Sequence, residues 1–138
     1  MPTNTSATLL LAALLLPLGS SAASRDDLVA QYALSAKAAS PAFSGFSAVR
    51  GEKLHFTKFA GGKAETPSCT SCHSDSPRGT GRTPAGKAIE ALAVSLTPAR
   101  YTDPAKVEKW FKRNCNDVLG RECTALEKGD WLSYMIHQ

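Results

Sequence analysis

Residues 69–73 have the sequence CTSCH, which constrains this chain more than any other feature of its sequence. Two thiols separated by two residues can add to the two vinyl groups of a porphyrin, and the histidine that follows directly can ligate the iron. The motif predicts a covalent haem c attached through Cys69 and Cys72, with His73 as the proximal ligand. Because it occurs once in the 138 residues, we expect one haem per chain.

Paired cysteines also occur in two other kinds of site. A thioredoxin-like redox pair would lie beside a βαβ pattern, and none surrounds residues 69–72. A zinc site would need a second pair at matching spacing, whereas Cys115 and Cys123 lie eight positions apart. In an oxidising compartment we expect Cys115 and Cys123 to form a disulfide, the alternative being two free thiols.

The N-terminal segment has the features of an export signal. Small residues at 20–23 follow the apolar residues 9–18, and this run of about ten is far shorter than the ~20 that span a bilayer. No Lys or Arg precedes it, and a buried N-terminal helix is the alternative. We expect residues 1–23 to be a signal peptide, residues 24–138 to form a cytochrome c domain, and the mature protein to lie in the periplasm without a transmembrane anchor.

The charge of the chain excludes some partners. The formal net charge is +4, and the Lys and Arg residues are scattered among acidic ones. Since no dense basic run or helix-turn-helix pattern is present, we expect no binding to nucleic acid. The mild basicity fits either a solvated surface or docking to an acidic redox partner.

Helix signals recur along the chain, and no strand pattern is convincing. Capping boxes or a proline at the first helical position mark four helix starts: Ser24 with Asp27, Thr83 with Pro84, Asp103 with Pro104, and Thr124 with Glu127. A further helix is expected over about residues 47–59. The sequence therefore predicts an all-α fold, with about five short helices around one covalent haem, as in small monohaem class I-like cytochromes c.

The iron ligand opposite His73 decides the function, and the sequence pattern alone does not identify that ligand. An electron carrier normally has Met or His there. The candidates are Met135, His55, His137, Asn114 and its neighbour Asn116. Met135 lies on the apolar side of the last helix, where a core role is simpler. His55 is better explained as a packed or surface residue, and His137 as an exposed one.

Asn114 is unusual because it is a polar amide on a helical face that Val107, Trp110 and Phe111 otherwise form. We expect it to end this helix and to enter a loop that a disulfide between the next residue and Cys123 would pin. Both features suit a ligand that is held but releasable. The alternative is an asparagine that only caps its helix.

Three stretches carry a resemblance to a known family. The first is TPSCTSCH at 66–73. The second lies upstream of it and contains FTK at 56–58 and GGK at 61–63. The third is YTDPAKVEKWFKRNCNDVLGRECTALEKGDWL at 101–132. In these stretches the chain resembles the sphaeroides haem protein (SHP) family, oxygen-binding monohaem cytochromes c with an asparagine axial ligand. The resemblance covers nearly all of residues 24–138, and RNCN followed by GREC is its most specific part. His55 departs from it, because the family usually has an apolar or aromatic residue there.

The resemblance implies that Asn114 is the sixth iron ligand and that the Cys115–Cys123 disulfide lies beside the haem. It also implies that Asn114 leaves when the iron is reduced, which opens a site for O2, NO or CO, with a dihaem cytochrome c as electron donor. Two other functions stay open. One is a plain electron-transfer cytochrome with Met135 as a ligand, and the other is a haem enzyme such as an NO dioxygenase, although ligand binding and electron transfer are favoured.

Overall fold

The structure, a computed structural model, describes Met1 and residues 24–138. The signal peptide expected at residues 1–23 therefore lies outside the described residues, apart from Met1. The described part is mostly helical, as predicted. Its elements are α1 (Arg25–Ala39), α2 (Ala48–Phe56), a 3-10 turn (Cys69–Ser71), β1 (Gly81–Arg82), β2 (Ala88–Ile89), α3 (Pro104–Leu119) and α4 (Ala125–Ile136).

Three of the four predicted helix starts are confirmed, and each has a side chain that satisfies a free backbone N–H of the first turn. The side chain of Ser24 accepts a hydrogen bond from the backbone N–H of Asp27. Asp103 does the same for Lys106, directly before Pro104. Thr124 and Glu127 form the reciprocal pair of a capping box.

The predicted helix after Thr83 is wrong. Residues 81–89 form a small antiparallel hairpin in which Gly81 pairs with Ile89 and Arg82 with Ala88. The Thr83 hydroxyl accepts a hydrogen bond from the N–H of Lys87, and Gly86 adopts a positive φ of 84° that favours glycine. Thr83 therefore stabilises a tight turn, and the described residues contain four α-helices where about five were expected.

Helix α3 also continues further than predicted. It ends at Leu119, and Gly120 closes it with a φ of 73° and an N–H that donates to the carbonyl of Asn116. A glycine in this left-handed conformation is the usual end of a helix. Asn114 therefore lies inside α3 and not at its end.

Helix α4 is the centre of the fold, and both α1 and α2 pack against it. Gly51 of α2 allows the close approach, because a Cβ there would collide with the backbone of Asp130. The buried Asp130 carboxylate accepts hydrogen bonds from Arg50 at 2.7 and 2.8 Å and from the N–H of Ser47 at 2.7 Å. Two clusters of buried side chains complete the core: Leu28, Tyr32, Val107 and Leu132, and Leu92, Tyr134 and Met135. Among the described residues, no helix is long and apolar enough to cross a membrane.

The segment that precedes the CTSCH motif runs along the C-terminal end of α3. The N–H of Lys63 donates to the carbonyl of Asp117 at 2.7 Å, and the Thr66 hydroxyl donates to the same oxygen at 3.2 Å. Gly62 is also in close contact with the backbone at this end, where a Cβ would collide with the carbonyls of Asp117 and Val118. These contacts fix the motif beside the helix that carries Asn114.

Candidate haem site

The CTSCH motif begins with a 3-10 turn, Cys69–Ser71, that places its three candidate haem-binding residues in one short segment. The N–H groups of Cys72 and His73 both donate to the carbonyl of Cys69, at 3.3 and 3.0 Å. Ser68 precedes the turn, and its N–H donates to the Ser71 hydroxyl at 3.1 Å. The thiols of Cys69 and Cys72 are free and partly exposed. Two thiols and one imidazole are therefore presented from five consecutive residues.

The small hairpin supports the motif from outside. The N–H of Arg82 donates to the carbonyl of Cys72 at 2.7 Å. Gly81 is packed so closely that a Cβ there would collide with the same carbonyl. Together the motif and hairpin line an open cavity of about 320 Å³, bordered by residues 70–74 and 80–82. The hairpin that replaces the predicted helix is thus part of the site.

His73 is in the protonation state that a metal requires. Burial chiefly, and then the nearby His55 and Arg100, lower its pKa to about 4, so the imidazole is neutral at pH 7. Its Nδ1 atom is buried and has no hydrogen-bond partner within the described residues. Since buried polar atoms are nearly always paired, an unpaired ring nitrogen beside two thiols fits a histidine that ligates a metal.

The two thiols do not have the character of a redox pair. Burial raises the pKa of Cys69 to about 11, whereas reactive cysteines have a lowered pKa. Nor is there a zinc-like cluster, since the described residues contain no group of three or more His, Cys, Asp or Glu side chains that could hold a metal ion. The residues present therefore fit a covalent haem and neither of the two alternatives.

Asn114 is exposed on one face of α3. Residues 110, 113, 114 and 117 share this face by helical spacing. Burial raises the pKa of Cys72, the charge of Asp117 raises it further, and that of Arg113 lowers it, so both side chains lie close to the motif. The Arg113 guanidinium stacks over the ring of Trp110, 5.5 Å from its centroid.

The side chain of Asn114 is not tied to the rest of the protein. No hydrogen bond joins it to any other residue in the range 24–138, whereas the amide of Asn116 donates to the carbonyl of Lys112 at 2.6 Å. The backbone on its C-terminal side is held, because a disulfide joins the buried Cys115 to Cys123 across a Cα–Cα distance of 5.6 Å. The amide can therefore turn while its backbone stays in place.

The other three candidate ligands occupy different surroundings. Met135 is completely buried on α4, in the cluster with Leu92 and Tyr134. His137 is exposed, with Nδ1 at 2.6 Å from the carbonyl of Ser133. His55 is completely buried and lies within hydrogen-bond distance of two groups, the indole of Trp131 and the carbonyl of Ser74. Sequence reasoning missed these two partners of His55, since no local pattern links α2 to either.

The helical fold and the single CTSCH turn define a small monohaem c-type cytochrome with one covalent haem c. A family model described as a domain of unknown function (DUF1924) matches residues 41–135. The cytochrome c-type protein SHP of Cereibacter sphaeroides is 47% identical over 112 residues, which cover 81% of this chain and 82% of that protein. The chain therefore belongs to the SHP family of c-type cytochromes, as the resemblance predicted.

Solved structures agree with this assignment. The structure of oxidized SHP, which is described as an oxygen-binding cytochrome c, has a TM-score of 0.77 at 44% identity and covers 84% of this chain and 98% of its own. Cytochrome c'' of Methylophilus methylotrophus is 33% identical over 112 residues, which cover 80% of this chain and 78% of that protein. Its solution structure, described as giving insight into haem-ligand detachment, has a TM-score of 0.71 at 32% identity and covers 83% of this chain and 93% of its own.

Proposed function

We propose that this protein is a periplasmic cytochrome c that binds a diatomic gas after reduction releases its distal ligand, Asn114. Cys69 and Cys72 form the two thioethers, and His73 is the proximal ligand. The observation that carries the proposal is that Asn114 shares a helix face with Arg113 and Asp117, whose charges act on Cys72, and that no other described residue holds its side chain.

Two relatives support this proposal. One is described as an oxygen-binding cytochrome c, and the other has a solution structure that concerns haem-ligand detachment. Both properties are expected of one mechanism, in which a ligand leaves and a gas takes its place. We extend both to this chain through Asn114.

The chemistry of the amide accounts for the redox dependence. When bound, the haem would supply an iron that can be ferric or ferrous and has affinity for O2, NO or CO. The oxygen of Asn114 is a neutral, hard donor, which binds the ferric ion better than the softer ferrous ion. Because Asn114 lies inside α3, next to the disulfide, its release needs only a rotation of the side chain. The amide can return when the iron is oxidised again.

Export and an electron donor complete the proposal. Residues 1–23 direct the chain to the periplasm, the compartment in which the Cys115–Cys123 disulfide is stable. Electrons come from another cytochrome, such as a dihaem cytochrome c. The net charge of +4 suits a donor with an acidic docking face.

The test compares Asn114→Ala with the matched control Asn116→Ala, two positions further along the same helix. We expect the ferric wild type and the control to be six-coordinate, and ferric Asn114→Ala to lose its sixth ligand in the absorption spectrum. Ferrous wild type should bind CO rapidly, and Asn114→Ala should bind it at least as fast because it has no amide to displace.

Two outcomes contradict the proposal. An Asn114→Ala protein whose ferric spectrum equals that of wild type shows that another residue is the ligand. If Met135→Leu is the variant that loses the sixth ligand, and wild type gives no CO adduct, the protein is a plain electron carrier.

A further inference from the structure

His55 is a buried polar side chain to which the proposed ligand exchange gives no role. It lies on α2, and its side chain is completely buried. Its ring packs against the rings of Phe56, Tyr134 and Trp131, with centroids 5.4, 5.9 and 6.3 Å away. A fully buried imidazole is stable only if both of its nitrogens have partners.

The partners of His55 fix which nitrogen carries the proton. The indole N–H of Trp131 can only donate, and it lies 3.3 Å from Nδ1, which must therefore accept. The remaining proton is on Nε2, which donates to the carbonyl of Ser74 at 3.3 Å. Burial lowers the pKa of His55, against the opposite effects of Ser74 and Asp75, and so keeps the ring neutral.

The bond from His55 to Ser74 completes a set of three hydrogen bonds around His73. The N–H of His73 donates to the carbonyl of Cys69 at 3.0 Å, and the carbonyl of Cys72 accepts from Arg82 at 2.7 Å. The carbonyls of the two neighbours of His73, Cys72 and Ser74, thus both accept hydrogen bonds from residues outside the motif. Only one of these bonds, that from His55, comes from a side chain on a major helix.

We propose that His55 is a positioning residue for the proximal ligand, which sets the direction of the His73 imidazole by holding the backbone at Ser74. This inference rests on the proposed function in taking His73 as an iron ligand, and its Raman readout also requires that the sixth ligand leaves on reduction. His55 connects the segment after the motif to α4, because it bonds Ser74 on one side and Trp131 of α4 on the other. Trp131 also meets the ring of Phe111 in α3, with centroids 5.6 Å apart, so the same indole borders the helix that carries Asn114.

The test uses two substitutions at His55 and a matched control. His55→Leu removes both hydrogen bonds, whereas His55→Gln keeps a side-chain N–H that can reach Ser74. His137→Gln, an exposed histidine at the end of α4, is the control. The readouts are the iron–histidine stretching band of the ferrous protein, measured by resonance Raman spectroscopy, and the midpoint potential.

We expect His55→Leu to shift and broaden the iron–histidine band and to shift the potential. His55→Gln should recover at least half of both shifts, and His137→Gln should match wild type. Rescue by glutamine separates positioning from filling of the core, because leucine and glutamine fill similar volumes. Equal shifts in the leucine and glutamine variants, or no shift in either, overturn the proposal.

If His55→Leu takes up no haem, the test compares His55→Gln with Trp131→Phe. Trp131→Phe frees Nδ1 and with it the orientation of the ring, so it should broaden the band more than His55→Gln does. An unchanged band in Trp131→Phe overturns the proposal. A wild type without an iron–histidine band shows that the sixth ligand does not leave on reduction. The role of His55 is then read from the midpoint potentials of the same variants, so either idea can fail alone.

Discussion

The two residues proposed as axial ligands are held in very different ways. The backbone on both sides of His73 accepts hydrogen bonds, from Arg82 and from His55, and its own N–H bonds to Cys69. Asn114 has a fixed backbone inside α3 but a side chain that no other described residue binds. The contrast is that the backbone around His73 is held from two separate elements and its ring is half-buried, whereas the side chain of Asn114 is exposed and bound by no other described residue.

This difference limits the kind of motion that ligand exchange needs. A helix interior next to a disulfide does not unfold when one weak bond is broken, because α3 keeps its own hydrogen bonds and its buried face. A rotation of one side chain between rotamers is enough, and it costs little. The proposed release of Asn114 would therefore require no change in the fold. The following predictions test the proximal and distal sides of the proposed site in turn.

The largest effect is expected from the cysteines on the proximal side. Cys69→Ala with Cys72→Ala should abolish covalent attachment completely, because no other described residue of the motif has a thiol. The measurement is haem retained by the chain on a denaturing gel. The matched control is Cys115→Ser with Cys123→Ser, which changes the other cysteine pair and should keep its haem. Haem that stays attached without Cys69 and Cys72 would refute the assigned linkage.

Removal of the Cys115–Cys123 disulfide, beside Asn114, should have a smaller effect than removal of Cys69 and Cys72. Its loop is about nine residues, for which the chain-entropy estimate is about 2.5 kcal/mol. We therefore expect Cys115→Ser with Cys123→Ser to lower the free energy of unfolding by about this amount, measured by denaturant titration. Cys115→Ala with Cys123→Ala is the control for the polarity of serine at the buried position 115. If neither protein loses stability, α3 is held by its packing alone.

Local chemistry explains which parts of this fold could be predicted from sequence. Helices α1, α3 and α4 begin where a capping side chain and its partner lie three residues apart, so the signal is contained in the sequence itself. The CTSCH turn is equally local. Thr83 shows the limit, since the same hydroxyl that can cap a helix instead accepts from Lys87 in a tight turn.

Contacts between distant residues explain what could not be predicted. The pattern predicts a helix end at Asn114, the polar last member of an apolar stripe, but the stop signal for α3 is Gly120, where φ is positive. The role of His55 depends on Trp131, which is 76 residues away, and on Ser74 in a loop without periodicity. No spacing rule connects these positions, so their hydrogen bonds emerge only from the packing of α2 on α4.

The smallest predicted effect concerns the loop between α3 and α4, which contains Cys123 of the disulfide. Both oxygens of Glu127 are bound by Arg121, at 2.7 and 2.8 Å, and one also accepts from the N–H of Thr124. Arg121 chiefly, and then Thr124, hold the pKa of Glu127 below its usual range, against the effect of burial. A carboxyl with a lowered pKa stabilises the fold above its unfolded pKa of about 4.3, and this contribution is lost as the pH falls through the folded value.

We therefore expect Glu127→Gln to destabilise the protein at neutral pH by about 0.5–1 kcal/mol, since Arg121 is half exposed and its pairing is screened by solvent. The difference from wild type should shrink as the pH falls through the folded pKa of Glu127, below which both states of the wild-type protein carry a protonated carboxyl. Glu122→Gln, an exposed neighbour in the same loop, is the control. A Glu127→Gln deficit that stays constant with pH would show that the loop is held by the geometry of the capping box and not by the charge of this carboxylate. In that case the distal side would be restrained by the disulfide and by helix packing, without help from the ion pair.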